Sequence, residues 1–396
     1  MRCLVGFLCV CILGVVLLLG CGETAGVCEG MVCPCTERGI RAAIAEGGGP
    51  FTFDCNGATT VVTKAEVVID NDVILDGEGN LTVDGAEDHG VFSIPQDVRV
   101  ELRGLTVTGA FRKGGISNEG VLTIDRCVIS DNSTTAPPIG LEGGGGGVWN
   151  AGEMIIINTT IADNVASHTM GGGIYNDWSA TLTLTNSTVA GNAAYIDGWG
   201  GIGGGIRNVG QMSIINSTVS GNSAAGIEDV SGGGILNGGW MFLVNSTISG
   251  NRASFGDAIA IESTSASRRD PYVGIARTLI DGECSREADS ESNVTWASSG
   301  YNIESPDNTC GFDQSTDQST NQVNVSADNL KLGELADNGG PTETHALGEG
   351  SVAIDVIPEA ECVDPEGAAL RTDQRGVERP QGSACDVGAV EMEVTP

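Results

Sequence analysis

Residues 203–222 read GGGIRNVGQMSIINSTVSGN, and the chain spells nearly the same phrase at 145–164 (GGGVWNAGEMIIINTTIADN), 171–192 (GGGIYNDWSATLTLTNSTVAGN) and 232–251 (GGGILNGGWMFLVNSTISGN). A weaker copy, GGISNEGVLTIDRCVISDN, fills 114–132. The closing residues Asn132, Asn164, Asn192, Asn222 and Asn251 recur at intervals of 28 to 32 residues. A period of this length means stacked units rather than duplicated domains. Within each unit, short β-rich runs such as Leu182-Thr183-Leu184 and Met212-Ser213-Ile214-Ile215 alternate with Gly- or Asn-bearing corners, and nothing carries a helical period. Each unit is therefore a coil of short strands. Coils stacked at roughly 4.8 Å pair every strand in parallel with its copy, so like residues lie over like. The fold predicted is all-β, a parallel β-helix.

Stacking gives the asparagines a physical role. Three columns recur: Asn118, Asn150, Asn176, Asn208 and Asn237; then Asn158, Asn186, Asn216 and Asn245; then the closing set. Each amide can bond the next one up the stack. Asn158, Asn186, Asn216 and Asn245 also begin Asn-x-Thr, a glycosylation signal in another setting, but the strict register favours ladders.

The composition narrows the function. The chain has 60 Gly, five Trp, four Tyr, eight Phe and a formal charge of −33. Glycine in this abundance alongside many Val, Ile and Leu fits tight corners in a regular β chain rather than disorder. The acidity disfavours nucleic acid, and with Lys confined to Lys64, Lys113 and Lys331 it also disfavours polyanionic substrates unless a cation bridges them. A monomer is expected.

At the start, Arg2 precedes an apolar run from Cys3 to Gly20, which reads as an export signal. Leu18-Leu19-Gly20-Cys21 is similar to a bacterial lipobox, in which cleavage leaves the cysteine as a lipidated N-terminus. The expectation is a signal over 1–20 and an outer-membrane or cell-surface lipoprotein anchored through Cys21; a cut after Ala25 or Gly26 would instead release a secreted protein. Of 13 Cys, Cys3, Cys9, Cys11 and Cys21 belong to this segment, leaving an odd number in an oxidising compartment. Cys127 occupies a repeat position that later copies fill with Thr or Ser, so it is expected free and buried. Cys284 with Cys310 and Cys362 with Cys385 are the preferred bridges, each clipping a stretch poor in apolar residues. The pairing of Cys28, Cys33, Cys35 and Cys55 stays open.

Residues 35–46, CTERGIRAAIAE, place Ile40, Ala43 and Ile44 on one helical face, suited to capping the open end of a stack. The organisation predicted is an N-terminal cap over 21–57, a β-helix over 58–281 with regular repeats at 114–251, and a loop-rich, disulfide-clipped region over 282–396.

That last region carries short motifs in order: Leu335-Ala336-Asp337-Asn338-Gly339-Gly340-Pro341-Thr342, His345-Ala346-Leu347, Ser351-Val352-Ala353-Ile354-Asp355, Thr372-Asp373-Gln374-Arg375-Gly376 and Cys385-Asp386-Val387-Gly388-Ala389-Val390-Glu391. With the repeats, they resemble bacterial right-handed parallel β-helix proteins with a choice-of-anchor Q region, related in style to polymorphic outer-membrane-protein repeats. The resemblance implies an extracellular or surface protein of unassigned activity.

Two candidate sites follow. Strand alternation sets Ser117, Trp149, Tyr175, Arg207 and Leu236 opposite to the inward Val and Ile, so Trp149, Tyr175 and Arg207 are expected to form an outward platform on which sugar rings could stack. The loops 133–142, 165–170, 193–202 and 223–231 vary most between copies and emerge from one corner; they contain Glu142, His168, Asp197, Trp199, Glu228 and Asp229. Asp131 and Asp163 stack in adjacent coils and read as a solvated acidic corner, with Ca2+ as the alternative; no other cofactor is expected. The function expected is an adhesin-like, non-enzymatic surface protein that binds a glycan or a cell-surface partner. A polysaccharide-degrading lyase or glycoside hydrolase using Glu142, Asp197, Glu228 and Asp229 is the alternative.

Overall fold

The computed structural model describes residues 28–135, 144–196, 202–227, 230–263, 270–288, 294–312 and 320–393. Among them the chain winds as a parallel β-helix. A 19-stranded sheet takes two strands from each regular coil, for example Gln211–Ile215 and Thr218–Ser220. A nine-stranded sheet runs in strict chain order from Val67–Val68 to Cys284–Ala288, and a four-stranded sheet joins Ser133–Thr135, Val165–Ser167, Ala193–Ile196 and Ser223–Gly226. Register follows the repeat: Met212 lies between Leu182 and Met241, and Ile214 between Leu184 and Leu243. All six side chains are buried in one continuous core. Burying each contributes roughly 1.5–3 kcal/mol, and the core is the same aliphatic layer repeated coil after coil.

Two asparagine ladders close the buried corners. Asn118, Asn150, Asn176, Asn208 and Asn237 donate each to the next at 2.8, 2.8, 2.8 and 2.6 Å. Asn132, Asn164, Asn192, Asn222 and Asn251 do the same at 3.0, 2.9, 3.0 and 2.9 Å. Glycine is required beside the second ladder: a Cβ on Gly205 would lie 2.8 Å from the Asn222 amide carbon. The column expected at Asn158, Asn186, Asn216 and Asn245 is not a ladder. These residues turn the corner in the left-handed region, at φ 50°, 49°, 52° and 50°, and only Asn216 donates to its copy, Asn186. Asn158 donates to Asp125, and Asn245 accepts from Arg277. Burial of Asn216 and Asn245 removes them as glycosylation acceptors.

The following position carries a hydroxyl ladder instead. Backbone N–H groups of Cys127, Thr159, Ser187, Ser217 and Ser246 donate to the hydroxyls of Thr159, Ser187, Ser217, Ser246 and Thr278 one coil on. Cys127 opens this column as a free, buried thiol.

The stack extends further at both ends than the interval 58–281. Gly48–Asp54 pairs with Val73–Asp84, and Thr295–Ser298 and Ile303–Ser305 pair with Tyr272–Ala276 and Leu279–Asp281. The repeat phrase is gone there, but inward apolar residues still recur. The helix Glu37–Glu46 covers the first coils with Ile40, Ala43 and Ile44 buried, its N–H at Gly39 capped by Thr36. Disulfides join Cys28 to Cys33, Cys35 to Cys55, Cys284 to Cys310 and Cys362 to Cys385.

Residues 330–391 fold back along the outside of the stack. The hairpin Leu332–Ala336/Thr344–Leu347 and the segment behind it lie against the Asn-Ser-Thr corners. Thr188 donates to the Glu343 carbonyl at 2.6 Å, Thr218 to Gln374 Oε1 at 2.7 Å, and the Ala389 N–H donates to Thr247 at 3.0 Å. Gln374 returns hydrogen bonds to Thr188 and Thr342. Behind it Arg379 pairs with Glu391 in full burial and donates to the Asp386 and Gly388 carbonyls. The motifs with the highest sequence specificity thus build a clasp.

Candidate functional site

Between the outer face of the stack and the 363–367 turn lies a cleft of about 510 Å³, walled on the stack side by the rings of Phe242 and Tyr272, with Trp240 adjoining Tyr272 outside it. Strand Trp240–Val244 alternates: Met241 and Leu243 are buried, whereas Trp240 and Phe242 stand 44 % and 39 % exposed. One coil on, Tyr272 lies opposite Trp240 and Gly274 opposite Phe242. The Tyr272 ring sits 6.0 Å from Trp240 and 5.3 Å from Phe242, tilted 46° and 48°. A Cβ on Gly274 would come within 2.9 Å of Phe242 and 3.1 Å of Tyr272, so its absence lets the rings converge. Among the described residues this is the one place where three aromatic rings meet.

The opposite wall is rigid and acidic. Asp364 Oδ1 accepts from the backbone of Glu366 and Ala368 at 3.0 and 2.8 Å, and the Cys362–Cys385 bridge anchors the turn. Arg277 ties it to the stack, donating to Asn245 at 3.1 Å and to the Val363 carbonyl at 3.0 Å. Burial lowers the Arg277 pKa, while Glu361 and Asp364 raise it. The Glu366 side chain stays exposed at the rim. Apolar ring faces beside fixed carboxylate acceptors match a sugar ring, which presents C–H groups on one face and hydroxyl donors at its edge.

The expected platform lies elsewhere and is covered. Ser117, Trp149, Tyr175, Arg207 and Leu236 do align in register. Yet Leu236 is buried, Arg207 is only 7 % exposed and paired with Glu262 at 2.5 Å, and Trp149 and Tyr175 are half-buried. The glycine run closes over this face: a Cβ on Gly144 would lie 2.4 Å from the Tyr175 ring. The column alternates outward as predicted, but it is not an open platform, because the glycine run before the strand packs against the Tyr175 ring and Arg207 is paired with Glu262. Cys21, Glu142, Asp197, Trp199, Glu228 and Asp229 lie outside the described residues. His168 packs edge-on against Tyr195 at 6.1 Å. Asp131 and Asp163 are exposed, and desolvation, then the charge of Asp131, raises the Asp163 pKa. Among the described residues no group of three or more His, Cys, Asp or Glu side chains is placed to hold a metal ion.

Sequence reasoning missed Trp240 and Phe242 although WMFLV at 240–244 carried the signal. In the preceding copies the same two positions hold Glu153 and Ile155, Thr181 and Thr183, Gln211 and Ser213. Two aromatics at outward positions broke that pattern. Tyr272 and Gly274 had no such signal, since the phrase is no longer legible in their coil.

Residues 67–253 match the family model for a right handed beta helix region. Among solved structures the chain is similar to pectate lyase Pel9A, at 13 % identity and a TM-score of 0.51, over 88 % of this chain and 90 % of that one. At that identity the likeness is one of fold. No curated protein matches the sequence.

Proposed function

We propose that this right-handed parallel β-helix is an exported carbohydrate-binding protein that takes sugar rings in the cleft lined by Phe242 and Tyr272, extended by the neighbouring Trp240. The observation that carries the reading is that Phe242 and Tyr272 line the cleft opposite Asp364 and Glu366, with the exposed Trp240 ring set against Tyr272 beside it. The acidic wall and the charge of −33 point to neutral or amino-bearing sugars rather than polyuronates. Four disulfides among the described residues and the apolar run from Cys3 to Gly20 support export, and lipidation at Cys21 is the tether we favour.

Isothermal titration with neutral oligosaccharides and glucosamine oligomers tests the site. Trp240→Ala and Tyr272→Ala should each weaken binding roughly tenfold or more, since stacking on one ring is worth about 1.5 kcal/mol beyond area burial. Trp149→Ala should leave affinity unchanged. Wild-type affinity in both cleft variants would sink the assignment. Palmitate labelling of wild type against Cys21→Ala tests the tether separately.

The competing reading is polysaccharide cleavage, favoured by the fold shared with pectate lyase Pel9A. Fold does not fix chemistry, and a chain with three Lys and this net charge is poorly suited to a polyanionic substrate. Release of oligosaccharides from a polysaccharide panel, abolished by Asp197→Asn or Asp229→Asn, would establish it.

A further inference from the structure

The fold-back creates a second recess, independent of the carbohydrate cleft. Ala162, Ala190, Ser220, Ser249 and Asp281 stack in register at one corner of successive coils. With Asp163, Gly191, Gly221 and Gly250 they face the hairpin residues Leu332, Gly333, Glu334 and Leu335, and Glu343 and His345, across a groove of about 550 Å³. Its floor is open, because a Cβ on Gly221 or Gly250 would meet nothing nearer than 3.9 Å.

Into this groove project a hydroxyl and an imidazole in contact. Ser220 Oγ lies 2.8 Å from His345 Nε2, and His345 Nδ1 lies 2.7 Å from the Gly333 carbonyl oxygen. A carbonyl only accepts, so Nδ1 carries the ring hydrogen and Nε2 presents its lone pair to Ser220, whose hydroxyl donates to it. A nucleophile, a base and a third group that fixes the base are thus in place. Asp281 on the stack and Glu334 on the hairpin face the ring, but burial outweighs them and holds His345 below the ordinary histidine range, neutral and able to accept a proton.

We propose that Ser220 and His345 form an acyl-transfer dyad that hydrolyses short-chain carboxylic esters of uncharged alcohols. Ser220 Oγ attacks the ester carbonyl carbon as its proton passes to Nε2. The bond to the alcohol oxygen breaks, and that oxygen takes the proton. Water then attacks the acyl-serine, giving a proton to Nε2; the acid departs, and the proton returns to Ser220. Gly221 beside Ser220, where a Cβ would meet nothing nearer than 3.9 Å, leaves space for an acetyl-sized group. The groove carries Asp163, Asp281, Glu334 and Glu343 with no Lys or Arg among its lining residues, which excludes anionic esters.

The test uses the full chain and 4-nitrophenyl acetate, with a fluorophosphonate as covalent probe. Ala162 and Ala190 occupy the Ser220 position in neighbouring coils, so Ser220→Ala keeps the stack. It should lose at least about 100-fold in kcat/KM, as should His345→Gln, while Cys127→Ser, remote from the groove, should match wild type. The wild-type rate should rise with pH along a single step centred below about 6.5, the ordinary histidine value. The fluorophosphonate adduct should map to Ser220. Wild-type hydrolysis no faster than buffer, a folded Ser220→Ala variant within about twofold of wild type, or an adduct on another residue would overturn the proposal.

Discussion

In the repeats, ladder bonds join residues 26 to 32 apart and each buried amide meets its own copy; in the clasp, the bonds that hold it to the stack join residues 86 to 187 apart and no residue meets a copy of itself. The first fabric is uncharged and redundant, so a defect in one coil leaves the next coil its own partners. The second holds buried charge in single pairs: Asp373 with Arg375, and Arg379 with Glu391, occur once each and in no other coil. Burial pushes Arg379 down and Glu391 up from their ordinary values, and their mutual attraction opposes both shifts. Local repetition tolerates error, whereas long-range closure concentrates it.

The largest effect should come from the clasp. Arg379→Met leaves Glu391 buried without its cation and should cost about 3–5 kcal/mol in chemical denaturation, with 330–391 becoming protease-sensitive before the coils do. A change below about 1 kcal/mol would erase the distinction between the two regions. In the ladder, Asn192→Ala strips hydrogen bonds from Asn164, Asn222 and the Ile161 carbonyl and should cost about 3 kcal/mol. Hydrogen exchange should show lost protection in the coils on either side only; spread of that loss to 372–391 would break the claim that ladder damage stays local.

Acidification should separate the regions without mutation. Because the folded pKa of His345 lies below its unfolded value, the neutral ring is favoured in the fold. Its stabilisation is fully present above about pH 6.5 and is lost as pH falls through the lowered value. Amide protection around Gly333, corrected for intrinsic exchange, should therefore drop on acidification while the ladder amides hold, and His345→Gln should flatten the response. The smallest effect is expected at the start of the hydroxyl column. Cys127→Ser supplies the group that later coils carry and should change stability by no more than about 1 kcal/mol. The native thiol, pushed up to about 12 by burial, should resist alkylation in the folded protein.

The repeats were legible because stacking converts sequence period directly into contact. The Asn118 and Asn132 columns, the inward Ile206 and Met212, and the buried Ile40, Ala43 and Ile44 all follow from local spacing. What a side chain meets outside its own coil was not legible. Trp149 and Tyr175 alternate outward as expected, but only the path of the glycine run covers them. Gln374 and Arg379 belong to short motifs whose partners, Thr188, Thr218 and Glu391, lie at distances no period encodes. The aromatic cleft fell between these cases: Trp240 and Phe242 could be read from alternation, whereas Tyr272 and the 363–367 turn required the fold.

The clasp also works as a gauge of winding. Gln374 touches Ser187 and Thr188 in one coil and Thr218 in the next, while Ala389 reaches Thr247 in a third and the Gly388 N–H reaches Arg277 in a fourth. A strand slipped by one coil would still satisfy its ladders, because each coil offers the same asparagine at the same height. It would displace the corners by roughly 4.8 Å per coil and leave the clasp with nothing to grip. Repetition alone cannot count its own turns; the segment lying across four of them can, and it closes only when the count is right.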